Sequence, residues 1–410
     1  METRLTRIPR SIVKLLPAAA LLLCALQAQA NPPPPGDAPL AEHLENPRWQ
    51  VHDTAAGSNV LETAPKKSGT KKKKKSKWKT RVTVGLETIY DDNFLRYSDD
   101  YLDDFHAGTY PWKFQIDRQD THIFAPSIDM YAQRKLISWG NTRFRFKFKR
   151  WQYLQGHIKS NMGFDYYIRQ YLPKGRSLEF WYNYAPQQYI RELSYRTPLQ
   201  PPSDPLEWGE FRYSRNVFNL IFRTKVRKNM NLKLHFNRSL RYYNQEFMEN
   251  DIKDLGLRGT LYWDVHKAWR LTLDYGYSDA PARGANEVGE ALEASDDSDP
   301  SYKRDLFQID IAWKPKWAKG IFDKVALRGQ HQIYWFTSTK ELVDDPYHVG
   351  RKDMVYATQL VFDRKLNKTL SMKVGVKYTE RVVESPWKGD IAEDKDYNQR
   401  RYWIGLTYRL

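Results

Sequence analysis

Apolar and polar residues alternate without a break along the last ten positions of the chain. Every second residue there is apolar or aromatic, and the residues between them are mostly polar or small. Because successive side chains of a β-strand point to opposite faces, this alternation predicts a strand with one apolar and one polar face. Most chains fray at their ends, so a patterned strand at the terminus is expected to close a sheet. The apolar set is Tyr402, Ile404, Leu406, Tyr408 and Leu410.

The same alternation continues through the chain from Arg81 onward, and residues 142–149 show it most clearly. Phenylalanines there alternate with cations. A helix could not place the aromatic and the charged residues of this segment on opposite sides at that spacing. The phenylalanines are Phe144, Phe146 and Phe148, and the cations are Arg143, Arg145, Lys147 and Lys149.

Segments with this pattern predict an all-β protein that forms a closed antiparallel transmembrane β-barrel. We expect about 14 strands, within a range of about 12 to 16, because strand existence is more secure than strand boundaries. The predicted strands lie near residues 81–90, 123–131, 142–149, 160–171, 177–185, 211–226, 230–243, 253–264, 268–278, 303–314, 323–337, 353–364, 369–382 and 398–410.

The connections between these segments alternate between short turns and mostly longer loops. Short turns are predicted near residues 140, 174, 228 and 266, whereas segments such as 185–210 are much longer. Short turns on one rim and longer loops on the other are typical of an outer-membrane barrel. With an even strand count, both ends of the barrel segment lie on the short-turn side, which is the periplasmic side.

Alternation alone does not distinguish a membrane barrel from a soluble β-sandwich. Many apolar faces here carry aromatic residues near their ends, as expected for girdles at the two headgroup zones. The opposite faces are rich in charge, and a sheet that spans lipid must close because all its backbone polar groups need partners. These features favour a membrane barrel that covers residues 80–410.

The composition of the N-terminal residues predicts an export signal. The chain of 410 residues has a formal net charge of +17 and a mean hydropathy of −0.75, and its longest apolar run lies at residues 15–26. That run is too short for a spanning helix, but basic residues precede it and Ala28-Gln29-Ala30 follows it. We therefore expect residues 1–30 to be a signal peptide. Cys24, the single cysteine, lies inside it.

Residues 31–79 form a second region, rich in proline and lysine, that is predicted to be a disordered periplasmic arm. The simplest interpretation is a solvated linker. The alternative is electrostatic docking onto anionic lipid headgroups or cell-wall polymer, at about 1 kcal/mol per basic residue. An exported protein seldom meets nucleic acid, so none is expected as a partner. The densest basic run is Lys71, Lys72, Lys73, Lys74 and Lys75.

The last six residues, 405–410, resemble the C-terminal sorting signal of Gram-negative outer-membrane β-barrel proteins. That signal has a glycine followed by aromatic or apolar residues at the third-last and last positions, here Gly405, Tyr408 and Leu410. The usual final residue is phenylalanine, so Leu410 departs from the pattern but keeps its polarity. The resemblance implies a porin-like protein of the bacterial outer membrane. It also implies insertion by the barrel-assembly machinery and contact with membrane lipid and lipopolysaccharide.

If the apolar set faces lipid, the opposite set lines the lumen and is mainly cationic. A lumen lined by Arg and Lys predicts a channel for small anionic or polar solutes, acidic oligosaccharides among them. The alternative is that these charges pair and fill the lumen. The predicted inward acids are Glu87, Asp129, Asp165, Glu179, Asp274 and Asp310. The main predicted lumen-lining cations are Arg143, Arg145, Lys147, Lys149, Arg223, Lys225, Arg258, Arg328, Lys373, Lys377 and Arg381.

One predicted strand places a cation on its apolar face. Leu234 and Phe236 face outward on the seventh strand, so the alternation sends Arg238 outward as well. A cation facing lipid costs about 2–4 kcal/mol at mid-depth. Either a bulge shifts the register there, or Arg238 lies near the upper interface and extends towards water. We favour the second interpretation.

Motifs for catalysis are missing from the sequence. The nine histidines are scattered, and neither H-E-x-x-H nor G-x-S-x-G occurs. The acidic residues of segment 91–104 could hold Ca²⁺, but a solvated loop is the simpler interpretation. We therefore expect no enzyme, cofactor or metal site. The alternatives to a channel are a non-conducting barrel for surface binding or envelope anchoring and, third, a barrel-embedded lipid-modifying enzyme.

Overall fold

The computed structural model describes residues 78–109, 116–195, 207–285, 295, 297–315, 317–318, 320–389 and 391–410, without the side chains of 392–393. The predicted signal peptide and almost all of the predicted arm, including Lys71 to Lys75, lie outside these residues. Lys79 already belongs to the first strand, so the barrel begins one residue before the predicted boundary.

Within the described residues the chain forms fourteen strands, which confirms the predicted number. Each strand coincides with one predicted segment because the two-residue alternation of apolar and polar side chains marks it. The strands are β1 Lys79–Asp91, β2 Thr121–Ile137, β3 Gly140–Tyr153, β4 Asn161–Leu172, β5 Arg176–Tyr195, β6 Glu207–Arg227, β7 Met230–Tyr243, β8 Ile252–His266, β9 Trp269–Ala280, β10 Tyr302–Trp313, β11 Lys324–Phe336, β12 Lys352–Lys365, β13 Leu370–Glu384 and β14 Tyr397–Arg409.

Strands β5 and β6 are longer than predicted. Residues 185–210 were expected to be a loop, but β5 continues to Tyr195 and β6 begins at Glu207. Two register shifts, after Ala185 and after Tyr189, interrupt the pairing where the hairpin leaves the regular barrel. The alternation breaks at these bulges, which is why the sequence pattern did not reveal the extension.

The sheet closes into a barrel because the last strand pairs with the first. The register of β14 on β1 runs without a shift from Arg409 opposite Thr83 to Arg401 opposite Asp91. All neighbouring pairs are antiparallel, and each strand lies beside its sequence neighbours. The predicted closing role of the C-terminal strand is confirmed. At its end, the amide of Leu410 donates a hydrogen bond of 3.0 Å to the carbonyl of Val82.

Apolar side chains cover the outside of the barrel, as the alternation predicts. Phe144, Ile168, Phe180 and Leu257, for example, are exposed, whereas their polar neighbours along the strands face inward. Arg238 is also exposed on this outer face, and the pairing of β7 with both neighbours continues through it without a shift. The alternative of a bulge at Arg238 is therefore wrong.

The connections define two ends of the barrel. The turn end carries Lys79, Arg409 and short turns such as residues 228–229 and 267–268. The loop end carries longer connections, including helix α1, Asp99–Ala107, and helix α2, Ile391–Lys395. Among the described residues, no helix is long and apolar enough to cross a membrane.

Candidate functional site

The inner faces of β7 to β12, which we call the packed wall, are filled by large polar side chains. Arg258, Arg328, Gln330, Gln332 and Asp353 are each at most 8% exposed. Shorter inward side chains such as Thr272 and Ser278 are buried among them. This side of the interior is a polar core.

Ion pairs between neighbouring strands hold the packed wall together. Arg258 donates from Nε and Nη2 to the two carboxylate oxygens of Asp274, at 2.6 Å each. Arg328 makes the same bidentate contact with Asp310, at 2.6 and 2.9 Å. The guanidinium plane matches the two oxygens of a carboxylate, so such pairs fix side-chain orientation as well as charge.

The most deeply buried ion pairs lie near the loop end. Arg351 donates from Nε and Nη2 to Asp353, at 2.7 Å each, and Arg381 of β13 donates to the same carboxylate. The side chains of Arg351 and Asp353 are both fully buried. One buried carboxylate therefore accepts hydrogen bonds from two buried guanidinium groups.

The inner faces of β13, β14 and β1 to β4 form a different surface, which we call the cavity wall. Many inward positions there are glycine, serine or threonine, so a cavity of about 380 Å³ remains beside them. Its lining extends from Thr83 and Thr407 near the turn end to Phe94 and Tyr189 at the loop end. Small lining residues include Gly85, Ser127, Gly163 and Gly405.

An indole ring lies flat against this wall. Trp403 of β14 faces inward opposite Gly375 of β13 and lines the cavity. A Cβ atom at residue 375 would lie 2.2 Å from Cζ2 of Trp403, so only glycine leaves room for the ring. A second indole, that of Trp151, also lines the cavity, and Nζ of Lys149 lies 5.1 Å from its ring centroid.

Cations outnumber carboxylates on the cavity lining. Of the described residues, seven cations and three carboxylates line it. Several of these groups are paired: Lys149 Nζ lies 3.2 Å from Glu87 Oε1, and Arg401 Nε lies 2.6 Å from Asp91. An excess of formal positive charge in a low-dielectric cleft raises the local concentration of anions. The cations are Arg96, Lys147, Lys149, Lys159, Lys373, Lys377 and Arg401, and the carboxylates are Glu87, Asp129 and Asp165.

Apolar residues from two loop-end segments cover the cavity, and we call them the cap. Phe94, Leu95, Tyr97, Ile116 and Tyr189 are buried against one another. Phe94, Leu95 and Tyr189 also line the cavity, so its loop end lies directly beneath the cap. Partly buried residues Tyr101, Leu102, Phe105, Tyr153 and Ile158 pack around this cluster.

Hydrogen bonds tie the cap to the closing strand. Asn93 donates from Nδ2 to the carbonyls of Tyr97 and Asn398, at 2.8 and 2.9 Å. Gln399 of β14 donates from Nε2 to Asp91 and to the carbonyl of Asn93, each at about 2.9 Å. These contacts join the end of β1 to β14, so the cap rests on the seam of the barrel.

The loop end also contains ionisable groups in unusual surroundings. Burial and the neighbouring Arg191 lower the pKa of Lys395 in α2 well below its ordinary value. Burial raises the pKa of Asp396 to about 7, although the amide of Val383 donates to it and partly offsets this. In the loop between β7 and β8, burial and then the nearby Asp297 raise the pKa of Glu249 to about 8.

A smaller cavity of about 110 Å³ lies at the turn end, beside β8 to β12. Arg270, Asp310, Lys324 and Arg328 are among its lining residues. Gln359 and Val361 of β12 line both cavities and therefore lie between them. The two cavities thus meet at one pair of residues.

The predicted lumen-lining cations occupy three kinds of position. Lys147, Lys149, Lys373 and Lys377 line the larger cavity, and Arg328 lines the smaller one. Lys225 is exposed near the turn end of β6. The others form polar contacts on the inner face: Arg143 with Gln133, Arg145 with Asp129, Arg223 with Glu179, Arg258 with Asp274 and Arg381 with Asp353.

Sequence reasoning missed the residues that shape the cavity. Trp403 and Gly375 meet only because β13 and β14 pair in one register, which the sequence does not reveal. Asp91, Asn93 and Phe94 lie at the end of β1 in the distinctive segment Tyr-Asp-Asp-Asn-Phe. This segment was the one sequence feature that pointed to a role for these residues. Only the structure shows that these residues connect β1 to β14 and cover the cavity.

No protein-family model matches the sequence, and no curated protein matches it either. Among solved structures, an anion-selective porin from Comamonas acidovorans is similar with a TM-score of 0.38 and 7% identity, over 82% of this chain and 100% of that one. OmpT, an outer membrane protein of Vibrio cholerae, gives 0.39 and 9%, over 81% and 99%. OprD of Pseudomonas aeruginosa gives 0.34 and 11%, over 81% and 95%.

These scores lie below 0.5, so the class of the protein rests on its own topology. A closed fourteen-stranded antiparallel barrel has all its strand edges paired. An apolar exterior, a polar interior, short turns at one end and longer loops at the other complete the architecture. The protein has a porin-like outer-membrane β-barrel fold.

Proposed function

We propose that the protein is a channel of the bacterial outer membrane through which small anionic or polar solutes diffuse, and that it is not an enzyme. The observation that carries this proposal is the cavity of about 380 Å³ with its excess of cations. It follows the cavity wall from Thr83 near the turn end to Phe94 at the loop end. Cationic linings are the usual basis of anion-selective pores.

The proposal includes the location and the partners of the barrel. We propose that residues 1–30 direct export and that residues 31–79 lie in the periplasm. Gly405, Tyr408 and Leu410 would be read by the barrel-assembly machinery. The apolar outer face of the barrel would contact lipid and lipopolysaccharide.

The cap makes this a gated channel in our proposal. Phe94, Leu95 and Tyr189 cover the loop end of the cavity, so conduction requires the cap to shift. Asn93 contributes two of the hydrogen bonds that hold it. Replacement of Asn93 by alanine is therefore expected to increase the fraction of time that the channel is open.

Planar-bilayer recording tests the channel. Purified, folded protein in a KCl gradient should give single-channel currents whose reversal potential indicates chloride preference. Replacing both Lys147 and Lys373 by glutamine should reduce the chloride-to-potassium permeability ratio about twofold or more, and low salt should enlarge the effect. Lys225→Gln is the matched control, because Lys225 does not line the cavity and should leave the ratio unchanged. Absence of conductance, or preference for cations, would refute the proposal.

A non-conducting barrel that binds surfaces or anchors the envelope is the second candidate. The packed wall and the cap favour it, because both fill space that an open pore would need. In this alternative Lys71 to Lys75 contact anionic lipid headgroups or cell-wall polymer. Their replacement by serine should then release the protein from cell-wall sacculi or anionic vesicles in sedimentation assays. Unchanged sedimentation would exclude the anchor.

A further inference from the structure

The register of β13 and β14 places three cations near the indole of Trp403. Gly375 lies directly opposite Trp403, and Lys373 and Lys377 lie two residues away from Gly375 on either side. Arg401 lies two residues from Trp403 on β14 and opposite Lys377. Two residues along a strand correspond to about 7 Å, so all three cations start within about one side-chain length of the ring.

The ring itself offers a flat apolar surface. One side of the indole is pressed against the backbone of Gly375, where a Cβ atom would lie 2.2 Å from Cζ2. The cavity lies beside the ring, because Trp403 is part of the cavity lining. Indole faces stack on flat apolar surfaces and attract partial positive charge through the ring quadrupole. The C–H face of a pyranose ring has both properties.

Groups that could bind hydroxyls line the same cavity. Thr83, Ser127 and Thr407 offer hydroxyl groups, and Gln359 and Asn183 offer side-chain amides. Glu87, opposite Gly405, adds a carboxylate acceptor. A small inorganic anion would use the cations but neither the indole nor these groups. An aromatic carboxylate would use the indole and a cation but leave the hydroxyl partners unused.

We propose that the cavity contains a subsite for an acidic sugar, with the pyranose face on Trp403 and the carboxylate between Lys373 and Lys377. This inference rests on the proposed channel and names its solute class. The volume of about 380 Å³ falls within the range of about 300–1,000 Å³ found for small-molecule sites. The lining of one cavity thus offers a ring for stacking, cations for the carboxylate and polar groups for the hydroxyls.

The test compares three probes by ligand-detected NMR titration of the detergent-folded barrel. D-glucuronate should bind about tenfold or more tightly than D-glucose, which has a hydroxymethyl group in place of the carboxylate, because hydrogen bonds to charged groups are the strong ones. Benzoate, which has the carboxylate and a flat ring but no hydroxyls, should also bind more weakly than D-glucuronate. Equal binding of D-glucuronate and D-glucose, or preference for benzoate, would overturn the inference.

Paired variants locate the binding. Trp403→Leu and Lys377→Gln should each weaken D-glucuronate binding about tenfold, and Lys377→Gln should leave the weak binding of D-glucose unchanged. The controls are Trp313→Leu at the outer face of β10 and Lys225→Gln at the turn end of β6, which should both bind as the parent does. If the controls lose as much affinity as the test variants, the site lies elsewhere. Far-UV circular dichroism excludes any variant that has not folded.

Binding and conduction fail independently in this design. Titration in detergent requires no current, whereas the chloride preference in bilayers requires no sugar. Anion-selective conductance without D-glucuronate binding would support the proposed channel and refute the proposed subsite. D-glucuronate binding without conductance would refute the proposed channel and support a non-conducting barrel that binds sugar.

Discussion

The packed wall and the cavity wall are built from the same alternating strands, yet one forms a polar core and the other borders a space. On the packed wall, Arg351 and Asp353 have fully buried side chains. On the cavity wall, the paired side chains of Arg145 and Asp129 are 28% and 27% exposed. Backbone hydrogen bonds between neighbouring strands form the barrel sheet on both sides. The two sides differ in whether the inward side chains are buried against one another or border free space.

The two walls also differ in the energetics of their ion pairs. Removing one partner of a buried pair leaves an uncompensated charge without water, which costs about 3–5 kcal/mol. A pair at a wet surface is worth about 0–1 kcal/mol, because water replaces the lost partner. Loss of one partner is therefore expected to destabilise the packed wall far more than the cavity wall.

The largest expected effect comes from Asp353→Ala on the packed wall. The substitution leaves the buried guanidinium groups of Arg351 and Arg381 without their shared carboxylate. We expect the free energy of unfolding to fall by about 3–5 kcal/mol. Urea titration of the barrel in detergent, followed by far-UV circular dichroism, measures it.

Asp129→Ala is the matched change on the cavity wall. It removes the carboxylate from Arg145, which water still reaches, so a loss of about 1 kcal/mol or less is expected. Equal losses for the two variants would show that both walls are equally dry. That result would contradict the contrast between them.

A second prediction concerns Glu249, in the loop that joins β7 and β8 above the packed wall. Its pKa is about 8 in the folded protein because of burial, with Asp297 and Asp251 adding to the rise and Arg283 opposing it. The ordinary value is 4.5, so the folded state holds a proton that the unfolded state releases between these pH values. Stability of this loop is therefore highest below about pH 4.5 and falls as the pH rises to about 8.

Glu249→Gln fixes the neutral form and keeps the oxygen that accepts from Asn250. Relative to the parent, the variant should gain nothing near pH 4 and progressively more up to about pH 8, within a limit of about 1.4 kcal/mol per pH unit. Amide hydrogen exchange of residues 245–251 at pH 5 and pH 8.5, corrected for intrinsic rates, measures the local opening. A gain that is the same at both pH values would refute the raised pKa.

The sequence was sufficient for the barrel but not for its interior. Alternation marks each strand, and neighbouring strands pair in chain order, so the number of strands and the closure on β1 could be predicted. Which inward cations would line free space could not. Arg258 and Lys147 look alike in the sequence, but Arg258 lies against Asp274 and Lys147 borders the cavity. That difference depends on side chains from other strands.

The cap illustrates a second limit of the sequence pattern. Residues 186–195 continue β5 beyond the regular barrel, where bulges disturb the two-residue period. Tyr189 is therefore brought against Phe94, about a hundred positions earlier in the chain, by tertiary packing alone. Long-range contacts of this kind leave no local periodicity to read.

A third prediction compares two glycines of the cavity wall and tests whether Trp403 is held against β13. In Gly375→Ala the new Cβ would lie 2.2 Å from the indole of Trp403, so the ring must leave the wall and enter the cavity. We expect a loss of about 1–3 kcal/mol in the free energy of unfolding, as for other overpacked sites. Gly405→Ala places its Cβ at least 3.7 Å from Glu87, an ordinary contact, and should be nearly neutral after refolding in vitro. Urea titration ranks the two variants, and a neutral Gly375→Ala would mean that Trp403 is not held against β13.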